Sequence, residues 1–250
     1  MFNLFDKIMH ICAAKNLMMK RILFVLFIGL VVVSCETSTE NTMTLTGNIK
    51  GLKKGTLYLQ QFQDSTIVNL DSLEIQGDGN FSFSEEVEEP EIFYLYLEKE
   101  DNNDINDRIT FFGEAGNITI NTTWNTFDTN VDINGSKSNE KMVEFYEMAS
   151  KFNIKELQLA QQASLPEFQN DSVALDSIVR LMDQNTINRY RYALNFGLNN
   201  GKSYATPYLM ITEASEANPK YLDSIYNNLS PEVAASKYGK SLKAFLENND

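Results

Sequence analysis

Histidine and cysteine are almost missing from this chain of 250 residues: His10 is the single histidine, and Cys12 and Cys35 are the two cysteines. If everything before Cys35 is removed by processing, what remains has no histidine, and its one cysteine is its first residue. Such a chain has no Cys-x-x-Cys redox pair, no internal disulfide, no Ser-His-Asp or Cys-His nucleophile and no histidine/cysteine zinc site. The expectation is a protein that is not an enzyme, with no catalytic residue, cofactor or metal. Positive charge is scarce as well. The first 34 residues hold Lys7, Lys15, Lys20 and Arg21 against Asp6, so the rest carries 17 positive and 33 negative side chains, a charge of −16. That surface repels phosphate backbones and argues against nucleic acid as a partner, so none is expected.

Long apolar runs are also rare, and the one present is informative. Ile22 to Val33 is twelve residues of unbroken apolar sequence, with Gly29 its only small residue, behind the basic start Met18-Met19-Lys20-Arg21. At about 1.5 Å per residue it reaches roughly 18 Å as a helix, short of a hydrocarbon core of about 30 Å, but it matches a signal-peptide core in length. It ends in Val32-Val33-Ser34-Cys35. These four residues resemble the bacterial lipobox, in which the cysteine thiol takes a diacylglycerol and the signal is cut before the cysteine. The alternative, a core strand ending in cysteine, leaves the basic flank, the run length and the polar tether from Glu36 to Asn41 unexplained.

The expected organisation is a signal peptide over residues 1–34, a lipidated tether over 35–42, a β domain over 43–135 and a helical region over 136–250. Residues 1–17 are most simply an over-long gene start. The implied partner is a lipid bilayer, reached through acylated Cys35, on either membrane of the cell envelope or at the cell surface. Two or more acyl chains hold a protein there stably where one does not.

With 43% hydrophobic residues the chain can bury a core and form one or two domains. From Met43 to about Gly135 the period is two, with turns between about eight segments, which predicts an antiparallel β-sandwich or open barrel. Gly77-Asp78-Gly79-Asn80 predicts a tight hairpin, with Phe81 and Phe83 on one face after it. Beyond Gly135 the spacing becomes helical. Ser136 or Ser138 can cap a helix whose inner face holds Met142, Phe145, Ala149 and Phe152. Asp171 or Ser172 can cap another, with Leu175, Ile178, Leu181 and Met182 together on one face. Thr206-Pro207, Asn218-Pro219 and Ser230-Pro231 each place a polar cap before proline at the first helical position. The fold class is α+β, strands first and helices after.

Several stretches resemble a domain of unknown function found in Bacteroidota envelope lipoproteins. They are Leu45-Thr46-Gly47-Asn48-Ile49-Lys50-Gly51-Leu52, Gly55-Thr56-Leu57-Tyr58-Leu59, Asp71-Ser72, Gly77-Asp78-Gly79-Asn80-Phe81-Ser82-Phe83, Glu89-Pro90 and Asn134-Gly135-Ser136. In many members that domain precedes a thioredoxin-like domain of the TlpA/AhpC type with a Trp-Cys-x-x-Cys site. Here the sequence ends at Asp250, where such a domain would begin. The resemblance therefore implies either a binding or assembly module working with an envelope protein partner, or an accessory to thiol-disulfide systems that lacks its own redox site.

Two further patterns invite a site. Residues 98–108 are rich in oxygen ligands, but an EF-hand frame begun at Asp101 puts Ile105 at a ligand position, Asn106 where glycine is needed and Phe112 at the bidentate glutamate. A solvated loop is expected there instead. Asp64-Ser65-Thr66, Asp71-Ser72-Leu73, Asp171-Ser172-Val173, Asp176-Ser177-Ile178 and Asp223-Ser224-Ile225 resemble the Asp-Ser/Thr-aliphatic acceptor of Bacteroidota periplasmic O-glycosylation. Asp-Ser also caps helices and closes turns, so both readings stand, with Ser65 and Ser72 the favoured acceptors. Arg189-Tyr190-Arg191-Tyr192 reads as a helix burying tyrosine and exposing arginine, and carboxylates alone select no catalytic pair.

Overall fold

The computed structural model describes residues 41–248 apart from Asp64 and residues 100–106. Eight strands occur among them: β1 (Thr42–Lys50), β2 (Lys54–Gln63), β3 (Thr66–Gln76), β4 (Asn80–Glu86), β5 (Glu91–Lys99), β6 (Asp107–Gly113), β7 (Gly116–Thr123) and β8 (Asp132–Asn134). They form two four-stranded sheets in the orders β4-β1-β7-β8 and β3-β2-β5-β6. No closed barrel forms among the described residues. Pairing is antiparallel throughout except between β1 and β7, which run parallel from Met43↔Gly116 to Lys50↔Thr123. The inner faces meet in one core: Leu45 and Ile49 of β1, Ile118 and Ile120 of β7, and Phe93 and Leu95 of β5 are all buried.

The predicted hairpin at Asp78-Gly79 is a turn but not a hairpin. β3 and β4 belong to different sheets, so the chain crosses the sandwich there. The turn is held from outside. Gly77 donates its N–H to the Lys53 carbonyl, Ile49 donates to the Gly79 carbonyl, and the Asn48 amide nitrogen donates to the Asp78 carbonyl. Those bonds fasten the turn to the end of β1 and to the residue before β2 instead of closing a β3/β4 ladder.

Seven helices follow among the described residues: α1 (Lys137–Ala163), α2 (Pro166–Gln169), α3 (Ser172–Asn199), α4 (Ala205–Glu213), α5 (Pro219–Tyr226), α6 (Pro231–Ala235) and α7 (Lys237–Glu247). Ser136 caps α1, Asp171 caps α3, Asn218 caps α5 and Ser230 caps α6, each by a side-chain oxygen accepting a backbone N–H of the first turn. Ser138 and Ser172 lie inside their helices. Thr206 is no cap either. α4 starts at Ala205, and the Thr206 hydroxyl donates to the Asn200 carbonyl at 2.7 Å. Pro207 still sits in the first turn, where its missing N–H removes no intrahelical bond.

The helical layer packs on the outer face of the second sheet. Ile92 and Phe112 point away from the sandwich core into a second cluster with Met142, Phe145, Leu209 and Leu242. Polar bonds fix the seam. The Glu114 carboxylate accepts the N–H of Lys137 at 2.6 Å and the Ser138 hydroxyl at 2.7 Å, a stabilising position for a negative charge at a helix start. Glu89 receives the Lys237 N–H, and Lys237 Nζ pairs with Glu91.

The longest elements, α1 and α3, pair as a hairpin of about 40 Å. Their inner positions follow alternate three- and four-residue steps, Met142-Phe145-Ala149-Phe152-Glu156-Leu159 against Leu175-Ile178-Met182-Asn185-Arg189-Tyr192-Phe196, the spacing of a coiled-coil seam. Met142, Phe145, Ala149, Leu159, Ile178 and Phe196 are buried. Leu181 departs from its expected place: one position before Met182 turns it about 100° off the seam, and it is 52% exposed.

Candidate functional site

Val32, Val33, Ser34 and Cys35 lie outside the described residues. So does most of the acidic stretch: residues 100–106 connect β5 to β6. Ser65 is exposed at the β2/β3 turn, with a φ of 76°. Ser72 is exposed on β3, opposite Tyr58. Ser177 and Ser224 are inside helices, where their hydroxyls donate to the carbonyls of Val173 and Lys220. In the arginine-tyrosine patch Arg191 is exposed and both tyrosines pack against the helical core. Arg189 departs from the expectation: its Nε is buried and has no hydrogen-bond partner among the described residues.

A cleft of about 770 Å³ runs along β6. Arg108, Ile109 and Thr110 all line it. Consecutive strand residues point to opposite faces, so three in a row border one space only along the strand's edge. β6 ends its sheet and pairs on that side with no strand among the described residues. Phe112 fixes the direction of its free groups, because its N–H goes to Asn139 Oδ1 at 3.1 Å and not to β5. By alternation the N–H and C=O groups of Thr110 and Arg108 point outward as well.

The cleft's lining comes from three further segments. Val131 and Ile133, packed on the sandwich core, and the buried Met142 of α1 make an apolar floor with Ile109. Asp128, Asp132 and Glu147 stand exposed around it, and Asp132 accepts a bond from the Asn134 amide. Opposite them is the Arg108 guanidinium, held over the rings of Tyr94 and Tyr96 at 5.6 and 5.3 Å. Tyr146 and Tyr208 close the helical side. Burial pushes both phenols above their ordinary range, and the Glu213 charge adds to the shift of Tyr146, whose hydroxyl donates to Glu213 at 3.1 Å. Both tyrosines therefore hold their protons at neutral pH.

Two other hollows differ in character. A space of about 760 Å³ at the start of α1 mixes Lys137, Lys141 and Lys202 with Glu114 and Glu140. A smaller one, of about 470 Å³, lies between α3 and the start of α5 and is floored by Ile187, Leu194 and Leu198. Among the described residues no group of three or more histidine, cysteine, aspartate and glutamate side chains is placed to hold a metal ion, and no helix is long and apolar enough to cross a membrane.

The sequence signal for the cleft was weak. Its residues come from positions 108–110, 128–133, 142–147 and 208, and no local motif joins them.

Residues 43–142 match a family described as a domain of unknown function (DUF4369). The match takes in all eight strands and the first residues of α1. No curated protein and no solved structure matches the chain.

Proposed function

We propose that this chain is a non-enzymatic binding or assembly module of the cell envelope, a lipoprotein tethered to the membrane through acylated Cys35. One observation carries the binding role. The cleft beside β6 has an apolar floor, a charged rim and an open strand edge, the layout of a recognition surface with a dry centre and a wet margin. Its carboxylates stand in solvent around the margin and are not sequestered as a reacting pair. The lipobox-like Val32-Val33-Ser34-Cys35 supports the tether. Ser65 and Ser72, as candidate glycan acceptors, lie at the β3 side of the second sheet, across from β6, so modification there leaves the cleft open.

The test is made on the full chain in its native envelope, with a photo-cross-linking residue in place of the exposed Val143 beside the cleft. A discrete cross-linked protein identified by mass spectrometry is expected, and the N-terminal peptide of the mature chain is expected to begin at Cys35 and to carry the added mass of its acyl chains. Absence of any cross-linked protein removes the binding role, and a mature chain whose N-terminal peptide starts elsewhere or carries Cys35 at its unmodified mass removes the tether. A Cys-x-x-Cys protein as the cross-linked species would select the thiol-redox accessory role.

A further inference from the structure

We propose that the β6 edge is a strand-addition site for an extended, basic segment of a partner protein. The inference rests on the binding-module reading above and names what that module takes. An unpaired edge offers N–H and C=O groups at fixed spacing, and an extended peptide satisfies them as an added strand, with its alternate side chains reading the walls. Here the outward groups belong to Arg108 and Thr110, since Phe112 is already occupied by Asn139. Asn139 therefore closes one end of the edge and sets where an added strand must stop.

Room and chemistry agree with that occupant. A volume of about 770 Å³ accommodates a short run of residues, and its lining includes the apolar side chains of Val131 and Ile133, before and within β8, and of Met142 and Val143 of α1. Apolar side chains of an added strand fit against them. The sign of the partner's charge follows from the rim: Asp128, Asp132 and Glu147 against Arg108, whose guanidinium is already engaged by two tyrosine rings. Lysine or arginine at the alternate positions meets those carboxylates. A second copy of this chain is a poor occupant, because its net charge is −13 and like charges meeting at a rim cost affinity.

The test uses the full chain in detergent micelles and two labelled heptapeptides, Lys-Val-Lys-Val-Lys-Val-Lys and its Glu-for-Lys counterpart, both blocked at their ends. Fluorescence anisotropy is expected to show binding of the basic peptide alone, weakening with salt. Hydrogen exchange is expected to slow at the Thr110 and Arg108 amides. Thr110→Pro removes one outward N–H without breaking the β5/β6 ladder, as proline is tolerated on an edge, and is expected to weaken binding about tenfold or more. A second variant, Asp128→Asn/Asp132→Asn/Glu147→Gln, changes only exposed side chains and is expected to abolish the preference for the basic peptide.

The proposal is overturned if the basic peptide does not bind, if Thr110→Pro or the triple variant binds it as tightly as the parent, or if sedimentation shows a dimer that Thr110→Pro dissolves. An envelope cross-link that survives in Thr110→Pro also removes the strand site while leaving the binding module intact. If no cross-link forms even in the parent, the module reading fails by itself.

Discussion

Asn139 is buried in the first turn of α1, and its two polar ends do separate jobs. Its backbone N–H is taken by the Ser136 hydroxyl at 3.0 Å, which caps the helix, while its side-chain oxygen receives the Phe112 N–H at the edge of β6. Asn139→Ala keeps the cap and deletes the acceptor, leaving a buried N–H without a partner. Such a group costs about 1–3 kcal/mol, so the urea midpoint should fall with an unchanged slope. The same variant should leave the Ser136 cap intact, which is read from unaltered exchange of the α1 amides. No sequence pattern marks this residue, since a polar residue in a first turn is ordinary and its partner is 27 positions away.

The turn between β3 and β4 and the α1/α3 hairpin show what a local signal can and cannot carry. Gly77 and Gly79 both have positive φ, at 120° and 76°, so the turn itself was readable from Gly-Asp-Gly. Its destination was not, because the bonds that hold it come from Ile49 and Lys53. The two glycines should respond differently to alanine. A Cβ on Gly79 would stand 2.2 Å from the Ile49 carbonyl oxygen, whereas one on Gly77 meets nothing within 4 Å. Gly79→Ala should therefore lower the thermal midpoint clearly more than Gly77→Ala, which bears only the backbone strain of about 1 kcal/mol. In the hairpin, period and caps were legible at Ser136 and Asp171, but the width of the apolar stripe was not, and Leu181 falls outside it. The outer half of the hairpin rests on few buried side chains, Leu159 and Ile178 foremost, while Ile154 and Leu157 are 56% and 59% exposed. Leu159→Ala should speed amide exchange in the last turns of α1 and the first turns of α3, with the β-sandwich amides unchanged, because a region so held opens locally.

Across the whole molecule the two layers are joined through aromatic rings. Phe112 of β6 meets Tyr208 of α4 edge-on at 5.6 Å and Tyr238 of α7 at 6.0 Å, and the two tyrosines meet each other at 5.1 Å. β5 hinted at this arrangement. Its run Ile92-Phe93-Tyr94-Leu95-Tyr96-Leu97 has no polar alternate, as befits a strand covered on both faces, yet nothing local says which helices cover it. The joint makes the layers sensitive to base. Burial raises the phenol pKa of Tyr208 and of Tyr238 above the ordinary value of 10.0, with the Glu91 charge adding to Tyr238. A group whose folded pKa is raised contributes stability that is complete below its unfolded pKa and is lost as pH climbs through the folded value. Unfolding, followed by tyrosine absorbance and far-ultraviolet circular dichroism, should thus begin above about pH 10. Tyr208→Phe keeps the ring contacts and removes one ionising group, so its alkaline midpoint should move upward. High salt separates this cause from the general repulsion within a chain of net charge −13. Screening relieves repulsion between exposed charges but leaves the desolvation of a buried phenolate in place, so the Tyr208→Phe shift should persist at 1 M salt, where the Debye length is about 3 Å.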